Sequence, residues 1–424
     1  MGADAVVIGA GVIGSSIALE LARSGRRVVV VDRAGGIGHG STSASSAVIR
    51  YSFSTLAGVV ASWEAHFAWV DWRAHLGHDV GPLARFERCG LVMVDAPAAP
   101  RSSWLPLFDA VGVPYEAWDA AEFERRLPGL DHGRYWPPKR LDDDAFWVDA
   151  ADTLGAVFTP DAGFVTDPQL AAQNLAAAAM REGARFRLRS TVTAVDSTGG
   201  RVRAVELADG TRLFADTVVN AAGPWSGRIN EIAGVGGDFT IGVRPLRQEV
   251  AYTPSAPGWD GPIVADLDLG TYFRRDLRGG LLIGGTEPEC DPLQWLDDPD
   301  DAAMNPTKPL FEAHVTRAAR RLPGLGVPEQ PRGIVGVYDV ADDWNPIYDR
   351  TELPGFYVAI GTSGNQFKNA PLVGQLMTTL IDAVESGADP ATVDHPTPHT
   401  NIPLPLAAFS RNRPRNPNSN TVFG

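Results

Sequence analysis

Cysteine is almost missing from this chain: Cys89 and Cys290 are the two present in 424 residues. Their positions have no metal-type spacing, so they read as isolated thiols, and a reducing, cytoplasmic setting is expected. No apolar run approaches the ~20 residues that a membrane-spanning helix needs. Positive charge is also short. Lys and Arg total 37 against 51 Asp and Glu, a net charge of −14, which argues against general binding to nucleic acid or to an anionic membrane. His39 is a lone histidine and reads as a polar loop residue. Asp142, Asp143 and Asp144 have no other ligand type nearby, so no metal site is expected. The first strand begins at Ala5, leaving no room for a signal peptide, and no internal repeat is visible. What remains is an ordinary soluble composition, 44% hydrophobic and 21% charged, long enough for one or two domains.

The most informative stretch is AVVIGAGVIGSSIALELARSGRRVVVVD, residues 5–32. Ala5–Ile8 is a short apolar run of the buried parallel type. Gly9, Gly11 and Gly14 follow at G-x-G-x-x-G spacing: the first for a tight turn, the second for close approach of the backbone to a pyrophosphate, the third for packing of helix on sheet. A helix is expected over 12–24, with Ile13, Ile17 and Leu21 recurring every four residues and Gly25 as its stop. The apolar run Val28–Val31 then ends in Asp32, an acceptor suited to a ribose diol. The helix N-terminus offers free N–H groups and a positive dipole end to phosphates. The whole unit predicts dinucleotide binding. Asp32 disfavours NADP, whose 2′-phosphate it would repel, and leaves NAD and FAD open.

The Gly- and Ser-rich segment 33–46, containing Arg33, Gly40, Ser41 and Ser45, is expected to be a loop that lines the ligand. A helix is expected over 56–76, its aromatics in the core, then a strand over 86–94 and short helices over 104–111 and 120–127, with a loop over 128–139. Asp167 and Pro168 begin a further helix as N-cap and N1. Strands are expected at 185–188, 191–195, 202–207 and 212–214, with an Asp209-Gly210 hairpin turn. The stretch TVVNAAGPWS, 217–226, gives a second strand running into a glycine turn, which a simple NAD domain does not need. Residues 243–285 read as antiparallel strands, 300–322 as helix, 333–340 and 355–361 as strands, 362–368 as a turn, and 371–385 as helix. The tail from Ala388 is rich in Pro and Asn and is expected to be irregular.

Taken together, GAGVIGSSIALELARSG with Asp32, GSTSASSAVIR, NAAGPWS, GGLLIGG, GVYDVADDWNPI and GTSGNQFKNAP resemble the D-amino acid oxidase superfamily of flavoproteins, in its sarcosine oxidase and glycine oxidase branch. The resemblance covers nearly the whole chain. It implies an α/β fold: a Rossmann-like FAD-binding domain from 1–85, 146–242 and 331–387, a mainly antiparallel substrate domain from 86–145 and 243–330, and a tail at 388–424. It implies FAD contacts at Gly9, Gly11, Val12, Ile13, Gly14, Asp32, Arg33, Gly40, Ser41, Ser45, Val192, Ala221, Gly223, Trp225, Gly336, Gly364, Asn365, Gln366, Phe367 and Lys368. It also implies that Arg50 and Lys368 hold a substrate carboxylate. Tyr272 and Arg274, on a substrate-domain strand, are further pocket candidates, with a structural role as the alternative for each.

The chain departs from the family at identifiable places. The cysteine that holds flavin covalently in sarcosine oxidases falls at Gly336. The histidine used in dimethylglycine oxidases falls near Ser43 and Ala44, so FAD is expected to be non-covalent. The lysine associated with oxygen activation falls at Leu282, which slightly favours a dehydrogenase over an oxidase. The late turn reads Gly364-Asn365-Gln366 where many relatives have Gly-His-Gly. The expected activity is oxidation of the C–N bond of a small amino acid or secondary amine, with the electron acceptor open. The alternatives are an NAD-dependent hydroxy-acid dehydrogenase and a non-catalytic FAD-binding assembly protein.

Overall fold

The valine-rich runs at the start of the chain lie side by side in the middle of a parallel sheet. The computed structural model describes residues 2–254, 258–286, 290–416 and 419. Among these, Ala5–Ile8 and Val28–Val31 belong to a six-stranded sheet ordered Ile347–Arg350, Phe356–Ile360, Thr217–Asn220, Ala5–Ile8, Val28–Val31, Arg185–Arg187. Every pairing is parallel except the first, at the edge. Both central runs are buried along their whole length, as strands covered on two faces must be. On one face Val12–Arg23 packs between Pro168–Arg181 and Ala370–Glu385. On the other, Val6, Ile8, Val29 and Val31 pack against Val192, Val205, Leu207 and Leu213, from the antiparallel trio Val192–Asp196, Ala204–Leu207 and Arg212–Phe214.

The second sheet has nine strands among the described residues and is antiparallel except where Ile263–Asp266 runs parallel to Leu91–Val94. Its longest strand, Val243–Thr253, pairs along nearly its full length with Gly333–Ala341. Phe273, Leu281 and Ile283 of one face pack on Phe311, Val315 and Ala318 of the helix Lys308–Arg321. Buried Arg321 ties that helix down through Asp266 (2.6 Å) and Asp268 (3.1 Å). Two strands cross the expected division of the chain. Ala156–Thr159 and Gly333–Ala341 lie in this second sheet, although 146–242 and 331–387 are the segments expected in the cofactor domain. The α/β fold with a Rossmann-like unit and a largely antiparallel second sheet is the one expected.

Other departures have local causes. The expected helix over 56–76 is two helices, Leu56–Val70 and Trp72–Leu76, because Asp71 leaves the helical region and caps Ala74 N at 3.1 Å. The expected strand over 86–94 is broken by Gly90, at φ +76°. Phe86–Glu87 pairs with Gly163–Val165 in a small separate sheet, and Leu91–Val94 enters the large one. The helix expected from residue 300 starts at Lys308, after a single turn at Pro299–Asp301. The tail is not irregular throughout. Asp394–His395 pairs with Leu404–Pro405, and Leu404, Leu406 and Phe409 are buried. Glu64, itself buried, accepts from the amides of His399 and Thr400, and Arg411 pairs with Asp238 and Asp349. Residues 417, 418 and 420–424 of the tail lie outside the described residues. No helix among the described residues is long and apolar enough to cross a membrane, and no cluster there is placed to hold a metal ion.

Candidate active site

The glycine turn is built by close packing. Gly9 has φ +110°, and a Cβ there would stand 2.3 Å from the Ala221 carbonyl oxygen. A Cβ on Gly14 would stand 1.9 Å from the Gly9 oxygen, so the helix can begin against the turn only with glycine there. Gly11 faces Thr42, whose Oγ1 accepts from Val12 N at 3.1 Å. Gly11, at the N-cap, supplies no side-chain cap of its own and the first turn holds no acid, so beyond the amide taken by Thr42 the helix leaves a dipole end that favours an anion. Asp32 is part of the turn itself: it accepts from Ala10 N and Ala34 N, each at 2.7 Å.

These groups line a cavity of about 590 Å³. Of the residues expected at the cofactor, Gly9, Gly11, Val12, Ile13, Asp32, Arg33, Gly40, Ser41, Ser45, Val192, Ala221, Gly223, Trp225, Gly364, Gln366 and Phe367 line it. Gly14 does not, because its place is the helix–turn contact. Gly336 does not either; it faces Ala44. Sequence reasoning missed Thr42, Ser190, Thr191, Arg228, Tyr338, Asp339 and Thr362. The small hydroxyl of Thr42, inside the flagged Gly/Ser loop, was the one with a readable signal. At the mouth the Arg33 guanidinium lies 4.3 Å above the Trp225 ring and pairs with Asp300. Asp300 also accepts from Trp225 Nε1 at 2.9 Å and Arg228 at 3.1 Å.

A second, narrow cavity of about 120 Å³ meets the first at Ser45, Tyr338, Gly364 and Phe367, which line both. Arg50, Tyr272, Asn365 and Lys368 line this second cavity. Arg50 follows the short strand Val48–Ile49, whose path is set by Ala47 at φ +52° and by pairing with Gly163–Val165. It donates to the Ser52 carbonyl and to Ser52 Oγ (3.2 Å). Lys368 sits in the late turn, fixed by Trp69 Nε1 on its carbonyl at 2.7 Å, and its Nζ donates to the Asn365 carbonyl at 2.6 Å. Both cations lie near one ring: Arg50 at 5.1 Å and Lys368 at 5.2 Å from the Phe53 centroid. Burial pushes the Arg50 guanidinium down to about 9. Burial, with Arg50 alongside, holds the Lys368 ammonium well below the usual lysine range. A buried guanidinium and a buried amine on one pocket, each with its charged form disfavoured by burial, favour entry of an anion beside them.

The turn carrying Lys368 is held by amides. Asn365 donates to the Trp344 carbonyl (3.0 Å), Gln366 to Asn365 Oδ1 (2.6 Å), and Gln366 Oε1 accepts from Tyr348 (3.0 Å) and Asn369 (2.8 Å). Asn365 thus faces the second cavity and not the cofactor cavity. Tyr272 lies over Gly284, where a Cβ would meet its ring at 2.2 Å, and donates to Ser46 Oγ at 3.2 Å. Burial raises its phenol above the usual range. Arg274 is a correction: it lines neither cavity. Its Nε binds the Ser46 carbonyl at 2.7 Å and its guanidinium lies 4.2 Å over Phe164, so its charge braces the loop before Arg50.

A helix N-terminus over a glycine turn, an acid at the next strand end and a long cavity reaching a second pocket are the features of a dinucleotide-binding protein. The family profile described as FAD dependent oxidoreductase matches residues 4–380, and the chain belongs to that family. FAD-dependent oxidoreductase domain-containing protein 1 of Mus musculus is 31% identical over 176 residues, 39% of this chain and 35% of that protein, so the match spans about a third of that relative. Glycine oxidase of Geobacillus kaustophilus is 25% identical over 400 residues, covering 91% of this chain and 94% of that one. Among solved structures, L-proline dehydrogenase from P. horikoshii has a TM-score of 0.76 at 23% identity, covering 97% of both chains. The G. kaustophilus glycine oxidase structure has 0.74 at 21%, covering 97% of this chain and 99% of that one. The cradle at Gly9 and Gly11, the helix N-terminus above it and the continuity of the two cavities fit FAD.

Proposed function

We propose that this chain is an FAD-dependent oxidoreductase that oxidises the C–N bond of a small amino acid or secondary amine to an imine, which water then hydrolyses. One observation carries the reading. Arg50 and Lys368, far apart in sequence and both buried, line one pocket that opens onto the cofactor cavity. FAD, when bound, supplies the acceptor for the hydride leaving the carbon that bears the amine.

The remaining work belongs to the chain. The amides at the start of Val12–Arg23, with Gly9, Gly11 and Thr42, would hold the pyrophosphate. Asp32 would hold the ribose, and residues 364–367 the ring end. Arg50 and Lys368 would hold the substrate carboxylate, fixing the C–H bond toward the ring; such orientation is worth roughly 7–11 kcal/mol of barrier. No general base is required, since an amine bound in its neutral form loses hydride without one. Glycine oxidases among the relatives support an amino-acid substrate, and a 4-methylaminobutanoate oxidase supports an N-methyl amine.

The test is anaerobic titration of the holoenzyme with amino acids, N-methyl amino acids and cyclic imino acids. Bleaching near 450 nm, the ordinary absorbance of oxidised flavin, is expected with at least one class. Failure of every amine to bleach it would point to a non-catalytic flavoprotein.

A further inference from the structure

The wall of the cavity that contains Arg50 and Lys368 includes a residue with a strained backbone. Trp344 lines that cavity at φ +55°. A bulky side chain occupies this left-handed region only where its surroundings hold it there. Trp344 lies in the turn 342–346, between the strands Gly333–Ala341 and Ile347–Arg350. Two groups hold the turn. One is Asn365, which also lines the cavity. Its side-chain amide donates to the Trp344 carbonyl at 3.0 Å, and its own carbonyl accepts from Lys368 Nζ at 2.6 Å.

The other group is Arg413, from the tail, which lines neither cavity. Its guanidinium donates to both carboxylate oxygens of Asp343, at 2.9 and 2.7 Å, to the Asn345 carbonyl at 2.8 Å and to the Pro346 carbonyl at 2.9 Å. These partners flank Trp344 in the chain on both sides. The Asp343 side chain is fully buried and that of Arg413 is 8% exposed. Asp343 Oδ1 also accepts from Asn345 N at 3.2 Å. The tail is brought here by Arg411, which pairs with Asp238 and Asp349 and whose carbonyl accepts from Thr240 N at 3.1 Å. Both arginines lie beyond residue 380, where the match to the family profile ends. A buried carboxylate deprived of its only guanidinium is costly, so the turn at Trp344 depends on Arg413 for its shape.

We propose that Arg413 is a positioning residue for the carboxylate site: it fixes the turn at Trp344, and the Trp344 carbonyl, through Asn365, fixes the place of Lys368 Nζ. The inference rests on the function proposed above, in which Lys368 holds the substrate carboxylate. Arg413 itself touches neither substrate nor cofactor. Its planar fork suits the task, since one side chain reaches the carboxylate before Trp344 and the two carbonyls after it. Small displacements matter at such a site: a shift of about 1 Å caused by a distant change can cost on the order of a hundredfold in rate.

The test measures binding of propionate, a bare carboxylate, to the FAD-loaded full-length enzyme, read from perturbation of the flavin spectrum. Arg413→Gln is expected to weaken propionate by about tenfold. Arg413→Lys keeps a charge opposite Asp343 without spanning both carbonyls, and should recover part of the loss. FAD content and FAD affinity are expected to stay at the wild-type level, since Arg413 lies outside the cofactor cavity. Asn365→Ala supplies the readout that a merely structural role would not move. It removes the link to Trp344, so Arg413→Gln added to it should weaken propionate no further. If Arg413→Gln does not take up FAD, the same cycle is run with Arg413→Lys. Unchanged propionate binding in the Arg413 variants, or an undiminished further loss in the Asn365→Ala background, would overturn the positioning role and leave the clamp intact. No response of the wild-type spectrum to propionate would remove the clamp, and the positioning role with it.

Discussion

A Cβ placed on Gly336 would stand 2.9 Å from the Cβ of Ala44. Gly336, where the family resemblance places one covalent flavin attachment, therefore touches Ala44, in the Ser43-Ala44 stretch near which it places the other, and neither Gly336 nor Ala44 carries a nucleophile. The thiols are elsewhere: Cys89 is half-buried, with its pKa raised mainly by burial, and Cys290 is buried. Neither lines the cofactor cavity. FAD is expected to be released intact when the protein is denatured in acid and centrifuged. Yellow colour retained in the pellet would contradict this.

Asp32 has a double role. Its carboxylate holds Ala10 N and Ala34 N, so Asp32→Ala removes the ribose acceptor and also frees two amides of the turn. Hydrogen bonds to a charged group are worth roughly 1.5–3 kcal/mol each. FAD affinity is expected to fall at least about tenfold, measured by fluorescence titration of the apoprotein. An unaltered affinity would remove Asp32 from the ribose site.

The proposed clamp can be separated from general damage to the pocket. Arg50→Lys keeps the charge and loses the planar fork, and is expected to impair turnover of an amino acid. Lys368→Met is expected to do the same. For each variant, the loss is compared between an active amino acid and its decarboxylated amine. A clamp predicts a much smaller loss on the amine, which has no carboxylate to hold. Equal losses on both would show that neither residue reads the carboxylate.

The same pair predicts a proton balance. Burial and Arg50 depress the Lys368 ammonium, and a carboxylate entering between the two cations must raise it again. Between its free and bound pKa values, Lys368 therefore takes up a proton on binding, and apparent affinity falls as pH rises, by up to about tenfold per pH unit for one proton. Acetate or propionate is the proper probe, since neither carries an amine of its own. Calorimetry in buffers of different ionisation enthalpy should show uptake, and its absence in Lys368→Met. Proton release in the wild-type protein would contradict the assignment.

How much of this was readable in advance follows the range of the interactions. The turn at Gly9, the strand Val28–Val31 and Asp32 are set by contacts within one local unit, and their pattern is printed in the sequence. Arg50 and Lys368 could be paired only through the family resemblance, because what brings them together is Phe53 and the two cavities. Arg274 was misplaced because its partners, Ser46 and Phe164, come from distant segments with no sequence signal. Asp71 and Gly90, in contrast, break elements by ordinary local rules, and either could have been read from the sequence.

Leu282 bears on the electron acceptor. In register it sits opposite Arg274 on one side and Tyr252 on the other. By strand alternation it shares a face with Gly284 and Tyr272, whose ring lines the substrate cavity, while Leu281 and Ile283 point into the core beneath. The position thus lies on the active-site face, yet it carries no charge, and its side chain is buried. The nearest cation in register, Arg274, is engaged by Ser46 and Phe164. Reaction of a reduced flavoenzyme with oxygen is favoured by a fixed positive charge that stabilises the developing superoxide. We therefore expect the reduced holoenzyme to reoxidise slowly in air and to pass electrons more readily to a dye. Leu282→Lys is expected to accelerate reoxidation by at least about tenfold, equivalent to ~1.4 kcal/mol of barrier. The measurement is stopped-flow mixing of anaerobically reduced enzyme with aerated buffer, following recovery of absorbance. Wild-type reoxidation as fast as that of an efficient oxidase would mean that another cation, Lys368 foremost, serves in place of the missing lysine.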